Sequence, residues 1–371
     1  MKFIGNKFRL LDFIEFVLKD NNISNGTFMD LFAGTANVGK YFKKLGFKII
    51  STDILDFSYA FQRSYIKVTE YPKFNNLELK GIKLPKENLF DFKTLKTEKE
   101  QRIEKLKEVI FFLNKLKGKE GFIYNNYCEG GTKNKKYKRR YFSDSNAMRI
   151  DAIRECLQKW EDGGKITEDE FYILLAELID RSDYVANNSG TYGAYLKIWR
   201  SMALKPLILK MPEIIESEKE HEVFKMDANK LVKIRSCDVA YIDPPYNARQ
   251  YATNYHLLET ITCLDNPAIY GKTGMRPYEN KKSAYSMKSL APIIFAELID
   301  NLKSKHILVS YNNEGIISKK NIIDILKNKG ELKIYKKDYR RFRSESDHEN
   351  RKYKVPENKT KEYIYYCGVK K

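Results

Sequence analysis

A short α/β unit near the N-terminus most constrains how this chain can fold. The run GTFMDLF predicts a buried strand over 27–32, the turn AGTANVG follows it, and a helix is expected through Lys44. FKIISTDI then predicts a second strand over 47–54, which closes on Asp53. A strand, a glycine-containing turn, a helix and a strand make a βαβ unit, which places the two strands side by side in a parallel sheet.

The α/β pattern resumes after residue 220. Strands are predicted within 221–229, 238–246 and 306–312, and two more lie within 331–368. A basic loop joins these last two, and it holds Arg340, Arg341, Arg343 and Arg351. The chain therefore returns to the same sheet after a long interruption.

Residues 75–220 form that interruption, and their pattern is mostly helical. A charged amphipathic helix begins at KTEKEQ, and two further helices are predicted near 146–160 and 168–182. So long a segment is not a structureless loop. The sequence predicts one α/β domain in two parts, 1–74 and 221–371, around an inserted helical region.

The run DVAYIDPPY ends an apolar strand in an unusual way. Prolines cannot continue a sheet ladder, so Asp243 faces two rigid residues, Pro244 and Pro245, and the ring of Tyr246. The Asp243 carboxylate could accept one N–H of an exocyclic amine and the Pro244 carbonyl the other, which frees the nitrogen lone pair. Tyr246 would stack on a base that has left the double helix. A merely rigid turn is the alternative.

Acidic residues lie at or just after several predicted strand ends: Asp30, Asp53, Asp227 and Asp243. In an open parallel sheet, ligands bind outside these carboxyl ends. Asp53 is placed to accept both ribose hydroxyl hydrogens, and Gly34 and Gly39 let the backbone approach a ligand. Asp227 could accept an adenine amino hydrogen, or it could cap the helix ANKLV.

These acids indicate a nucleoside cofactor without phosphates, because the G-x-G-x-x-G pattern of dinucleotide sites is absent. S-adenosylmethionine fits, with its ribose, adenine and charged amino acid tail. Its sulfonium already makes the methyl group electrophilic, so no metal is required. The enzyme has only to align a nucleophile with that methyl group.

The charge of the chain predicts a polyanionic partner. Lysine and arginine number 68 against 49 acidic residues, a formal net charge of +19. A dense basic run, KNKKYKRRY, contributes Lys133, Lys135, Lys136, Lys138, Arg139 and Arg140, and Arg249 follows the DPPY motif. We expect these side chains to contact DNA phosphates, although a solvated basic loop is also possible.

Other residue classes exclude several alternatives. The five cysteines and four histidines show no metal-ligand or disulfide spacing, which favours a reducing cytoplasm. Charged residues interrupt every apolar run of the N-terminal segment, so an amphipathic helix is expected there and not a signal peptide. No membrane span is expected.

The motifs together resemble a known family. DPPY, with FAGTA upstream and KFIGNK at the start, is similar to the amino-methyltransferases that modify adenine N6 in DNA, above all those of type II restriction–modification systems. The resemblance implies a Rossmann-like, S-adenosylmethionine-dependent sheet. It also implies that 75–220 is the target-recognition region, since KFIGNK looks like a motif that precedes the cofactor motif only in one circular order of the domain.

The resemblance also implies roles for single residues. Gly5 and Lys7 would contact the methionine end of the cofactor, and Phe32, Gly34 and Asp53 would line its pocket, with Asp30 beside them. One departure is Ala36, where the family's F-x-G-x-G motif has its second glycine. Alanine is expected to allow this turn only with a negative φ, so cofactor affinity could be altered without binding being abolished. Asp243 favours adenine over cytosine N4, whose enzymes more often carry serine there.

The sequence thus predicts a cytoplasmic, site-specific DNA adenine-N6 methyltransferase that binds double-stranded DNA and could serve alongside a cognate restriction endonuclease. An RNA, protein or cytosine-N4 amino-methyltransferase is one alternative. A nucleic-acid-binding protein with a silent cofactor pocket is another.

Overall fold

A single mixed sheet organises the computed structural model, which describes residues 4–79, 97–340 and 359–370. Within these ranges its strands follow the order β3-β2-β1-β4-β5-β7-β6. The strands are β1 (Thr27–Asp30), β2 (Lys48–Asp53), β3 (Glu222–Lys225), β4 (Ser236–Ile242), β5 (Lys303–Asn312), β6 (Gly330–Arg340) and β7 (Lys359–Val369). Strands β1 to β5 pair in parallel, whereas β7 runs antiparallel to both β5 and β6. The predicted Rossmann-like α/β fold is confirmed.

Helices cover both faces of the sheet. They are α1 (Leu11–Asp20), α2 (Asn37–Lys44), α3 (Asp56–Gln62), α4 (Glu98–Lys115), α5 (Phe122–Tyr127), α6 (Glu129–Thr132), α7 (Asp144–Asp162), α8 (Glu168–Tyr184), α9 (Ala228–Ile234), α10 (Tyr251–Asn254), α11 (His256–Cys263), α12 (Ala291–Asn301) and α13 (Lys319–Lys329). Capping boxes formed by Thr97 with Glu100 and by Thr167 with Glu170 fix the starts of α4 and α8. None of the helices in the described ranges is both long and apolar enough to cross a membrane.

The inserted helices share the core of the sheet. One hydrophobic cluster runs without a break from Phe28 of β1 and Tyr241 of β4 to Leu106 of α4 and Leu174 of α8. The opposite face of the sheet packs against α9, α12 and α13 in a second cluster. The described part of 75–220 is therefore continuous with the α/β core in packing, and the division into 1–74, 75–220 and 221–371 stays a prediction.

The chain order reverses between β1 and β4, and this places a crevice at their carboxyl ends. From β1 the chain continues outward through β2 to β3, and it then returns to β4 on the other side of β1. Asp30 is the last residue of β1, and Asp243 directly follows β4. The two acids thus meet where an open sheet binds its ligands.

The turn from β1 into α2 corrects one expectation. Ala36 has φ 58° and ψ 17°, in the left-handed region, so the prediction of a negative φ is wrong. Gly34, two residues earlier, also has a positive φ of 53°. The chain must reverse within a few residues here, and both positions take the conformation that glycine adopts freely. The Ala36 methyl is fully buried in the core, which offsets a strain of about 1–2 kcal/mol.

The basic loop predicted between β6 and β7 lies largely outside the described residues. Arg341, Arg343 and Arg351 lie outside the described residues, and Arg340 ends β6. The two strands predicted within 331–368 are both present and pair with each other along their whole length.

Candidate active site

A pocket opens at the carboxyl ends of β1, β2 and β4. Most of the residues singled out in the sequence line it: Gly5, Lys7, Asp30, Phe32, Gly34, Asp53, Asp227, Asp243, Pro245 and Tyr246. Pro244 lies just behind this wall and is buried. Residues from the N-terminal segment and from both halves of the sheet therefore meet around one cavity.

Asp243 stands in a buried charge cluster at this pocket. Its Oδ1 lies 3.1 Å from Lys7 Nζ, and the same ammonium donates a 2.9 Å hydrogen bond to Glu362 Oε1. The three side chains are only 12%, 6% and 4% exposed. Burial raises the pKa of Asp243 to about 7, and the Lys7 charge opposes this rise. Burial alone would lower the pKa of Lys7, but the two carboxylates hold that pKa well above its ordinary value.

Tyr246 is held in place by its neighbours. Gly5 has φ +80°, and a side chain there would meet Tyr246 Oη at 3.3 Å and Tyr251 Oη at 3.4 Å. Tyr311 packs edge-on against the Tyr246 ring, with centroids 6.4 Å apart. Gly5 thus permits the N-terminal segment to pass directly over the Tyr246 ring. Its predicted contact with the cofactor stays a prediction.

The acids that end β1 and β2 also line the pocket. Asp53 Oδ2 accepts the Gly34 N–H at 2.8 Å, and its Oδ1 accepts the Leu55 N–H at 3.0 Å. Asp30 Oδ2 accepts the Gly39 N–H at 3.3 Å, whereas its buried Oδ1 has no hydrogen-bond partner. Burial raises the pKa of Asp30 to about 7 and also raises that of Asp53.

These groups fit S-adenosylmethionine. An unpartnered, buried carboxylate oxygen at a pocket calls for a donor, and the Asp30 Oδ1 atom would accept from a cationic amino group. Asp53 has lone pairs left for hydroxyl hydrogens after its two backbone contacts. Phe32, which packs edge-on against Tyr285 with centroids 5.0 Å apart, supplies an apolar wall.

The chain matches the family model of the D12 class N6 adenine-specific DNA methyltransferases over residues 3–325. The chain belongs to this family. Among the curated relatives it is 37% identical to the type II methyltransferase M.NlaIII of Neisseria lactamica, over 98% of both chains. It is 40% identical to the type II methyltransferase M.FokI of Planomicrobium okeanokoites over 99% of its own length, but it spans about half (52%) of that protein. The match to M.CviAII of Paramecium bursaria Chlorella virus 1 is 29% over 98% of that protein.

Membership in the D12 class confirms the predicted family, fold and enzyme class, and such a methyltransferase requires S-adenosylmethionine. In the described ranges no group of three or more histidine, cysteine, aspartate or glutamate side chains could hold a metal ion.

Asp227 takes one of its two predicted roles. Its Oδ1 accepts the Asn229 N–H at 2.9 Å, which caps the start of α9. The residue also lines the pocket, so its contact with the adenine of the cofactor stays a prediction.

The basic run divides into exposed and buried members. Lys133, Lys135, Lys136, Lys138 and, beyond the run, Arg249 are exposed. Arg140 is half-buried and pairs with Glu129. Arg139 is only 6% exposed, and its guanidinium donates to three backbone carbonyls, those of Asn126, Gly271 and Lys272. The prediction that Arg139 contacts DNA phosphate is therefore wrong, because this side chain holds loops together in the interior.

Two charged residues at the site were not predicted from the sequence. Glu362 lies at the end of the chain, and its only signal is an acid at the head of the apolar strand EYIYYCGV. Lys281 lines the pocket and pairs with Asp56 and Glu259. Neither belongs to a recognisable motif, so only the fold reveals that Lys281 lines the pocket and that Glu362 contacts the lining residue Lys7.

Proposed function

We propose that this chain is the modification enzyme of a restriction–modification system, and that it methylates N6 of one adenine, flipped out of duplex DNA, within a specific sequence. The observation that carries the proposal is the buried Asp243, paired with Lys7 at a pocket that Asp30 and Asp53 also line. A base acceptor and a nucleoside site thus share one cavity. The relatives with the printed names "Type II methyltransferase" and "Modification methylase" support the biological role.

The residues of the DPPY motif would activate the amine. The Asp243 carboxylate accepts one N–H of the adenine amine, and the Pro244 carbonyl accepts the other, so that the lone pair of the nitrogen is released from the ring. Lys7 favours the ionised form of Asp243, which is the form that accepts. Tyr246 stacks on the base, and Asp243 can take the proton that the amine loses.

The pocket residues would hold the cofactor. S-adenosylmethionine, when bound, supplies an electrophilic methyl group. Asp53 would accept the ribose hydroxyl hydrogens, Asp30 the amino group of the methionine part and Asp227 the adenine amine. Gly34 would let the backbone approach. We propose that no metal takes part, because the acceptors already provide the activation that the amine needs.

The exposed basic residues would bind the DNA backbone. Tyr141, which follows the basic run, donates from its hydroxyl to the Tyr192 carbonyl, and the Tyr192 N–H donates to the Asn254 carbonyl beside the pocket. The end of the run is therefore connected, through Tyr192, to the helix whose residues Tyr251 and Ala252 line the pocket, and Arg249 directly precedes the lining residue Gln250. We propose duplex DNA as the partner and a cognate endonuclease that acts on the same sequence.

The test is methyl transfer from labelled S-adenosylmethionine to duplex DNA by the purified chain, followed by sequencing that scores N6-methyladenine by context. One fully modified sequence is the expected result. Label that enters only RNA would support an RNA methyltransferase. Cofactor binding without any transfer would support a silent pocket.

Asp243→Ala is the matched variant. We expect the rate of methyl transfer to fall by at least about 100-fold, since the amine loses its charged acceptor. Cofactor affinity should change by less than about 3-fold, because the nucleoside acids are untouched. Asp243→Asn, which keeps the shape, should be almost as slow. Near-normal activity in either variant would show that another group accepts the proton.

A further inference from the structure

Glu362 is a buried acid that no sequence motif explains. It is 3% exposed and lies on β7, where it pairs in register with Asn312 of β5. Its Oε1 accepts a hydrogen bond from the Lys7 ammonium at 2.9 Å and another from the Ser310 hydroxyl at 3.1 Å. The family match ends at residue 325, so Glu362 lies outside it. The interior seldom holds a carboxylate without a specific partner, and here the partner is the lysine beside Asp243.

The geometry makes Lys7 a bridge between two carboxylates. A lysine ammonium is a point charge on a flexible stem and can take many positions unless something fixes it. The Lys7 Nζ atom lies 2.9 Å from Glu362 Oε1 and 3.1 Å from Asp243 Oδ1, so it contacts both carboxylates. The antiparallel strand β7 and its neighbour β5 therefore determine where the positive charge next to the catalytic acid lies.

We propose that Glu362 is a positioning residue for methyl transfer, which holds the Lys7 ammonium against Asp243 and so sets the orientation and the charge of the acceptor. The inference rests on the proposed role of Asp243. It adds a residue of β7 to a reaction whose recognised motifs lie on the N-terminal segment, β1, β2 and β4.

The electrostatics give this role a distinct signature. Burial has the largest effect on the pKa of Asp243 and raises it; Lys7 lowers this pKa, and Glu362 raises it further. Among the described residues, the titratable groups that interact electrostatically with this trio include Asp30, Tyr241, Tyr246, Tyr251, Tyr311 and Tyr365. Removal of the Glu362 charge alone should lower the pKa of Asp243. Removal of the whole side-chain acceptor should free Lys7 to move.

Two variants separate these effects. In Glu362→Gln the amide oxygen still accepts from Lys7, so we expect a single-turnover rate at high pH within about 3-fold of the wild type. The midpoint at which the rate falls on acidification should move to lower pH. In Glu362→Ala we expect that rate to fall by at least about 10-fold, with cofactor affinity retained, because Lys7 has lost its anchor.

The control is Asp238→Ala. Asp238 lies near the amino end of β4, away from the carboxyl ends that carry the pocket. There it pairs with Lys305 at 2.8 Å and accepts the Thr27 N–H. Its loss should lower stability without changing the pH midpoint. Rates are compared per folded molecule, measured by thermal unfolding of the same samples.

An unchanged midpoint in Glu362→Gln would overturn the proposal, and this readout stands even if Glu362→Ala does not fold. A wild-type rate in folded Glu362→Ala would overturn it as well. If the wild type itself binds S-adenosylmethionine but methylates no DNA, the proposed function has failed and not this inference alone.

Discussion

At the scale of the residue, Asp53 shows how one side chain serves both the fold and the site. Its two oxygens accept the N–H groups of Gly34 and Leu55, and so fix the turns after β1 and β2. The sequence predicts Asp53 as a ligand of the ribose. The structure adds that the same carboxylate orders the turn on which the ligand would rest.

For Asp53→Ala we therefore predict a loss of cofactor affinity of about 10- to 100-fold, the equivalent of one or two hydrogen bonds. Equilibrium binding of S-adenosylmethionine measures this loss. Asp238→Ala is the matched control, since it also removes a carboxylate that accepts a backbone N–H, but near the amino end of β4 and away from the pocket. An unchanged affinity in Asp53→Ala would place the ribose elsewhere.

At the scale of the elements, a buried cation joins three parts of the chain. Lys281 donates to Asp56 at the start of α3 and to Glu259 of α11, whose other oxygen accepts the Phe57 N–H. Burial alone would raise the pKa of Asp56, but Lys281 and Lys225 lower it. Burial raises the pKa of Glu259 even beside Lys281. One ammonium thus compensates two carboxylates at the rim of the pocket.

We predict that Lys281→Met lowers the free energy of unfolding by about 3–5 kcal/mol at pH 8, because it leaves the buried Glu259 without its cation and Asp56 with Lys225 alone. Without Lys281 the pKa of Asp56 loses part of its lowering, and the folded-state pKa of Glu259 rises further above its unfolded value. Ionisation then opposes folding, and the deficit relative to the wild type shrinks as the pH falls towards 5. Urea unfolding at the two pH values measures this.

Two further variants complete this test. Lys282→Met removes an exposed neighbour that lies 5.4 Å from the centroid of the Tyr278 ring, and it should cost less than about 1 kcal/mol. Lys281→Met combined with Glu259→Gln should recover part of the lost stability. A deficit in Lys281→Met that does not depend on pH would contradict the assigned pairing.

At the scale of the whole molecule, two groups of lysines differ in their position relative to the pocket. The exposed lysines of the basic run precede Tyr141, which is connected through Tyr192 to the helix α10 beside the pocket. By contrast, Lys48, Lys233, Lys303 and Lys305 lie near the amino ends of the parallel strands. A duplex that presents an adenine to the pocket would meet the first group and not the second.

Replacement of Lys133, Lys135, Lys136 and Lys138 by glutamine should weaken binding to every DNA sequence. It should also flatten the slope of log affinity against log salt by about three to four. The same change at Lys48, Lys233, Lys303 and Lys305 keeps the total charge equal and should leave the slope unaltered. Equal slopes in the two quadruple variants would mean that the basic run does not contact phosphate.

The sequence by itself determined the α/β architecture, because apolar periodicity and strand-end acids are local patterns. It also determined the DPPY motif and the family, since several motifs in a fixed order identify a fold without coordinates. The inserted helices near 146–160 and 168–182 were predicted within a few residues for the same reason.

Only the tertiary structure decided what depends on contacts between distant segments. In the sequence, nothing distinguishes Arg139 from the other cations of the basic run. Its guanidinium is buried because it binds the carbonyls of Gly271 and Lys272, more than a hundred positions away. Ala36 takes a left-handed conformation in the tight turn after β1, with its methyl group buried in the core. Glu362 contacts Lys7, and through it Asp243, only because β7 inserts beside β5. Side chains that are charged and buried obtain their roles from such pairings, and no local pattern encodes them.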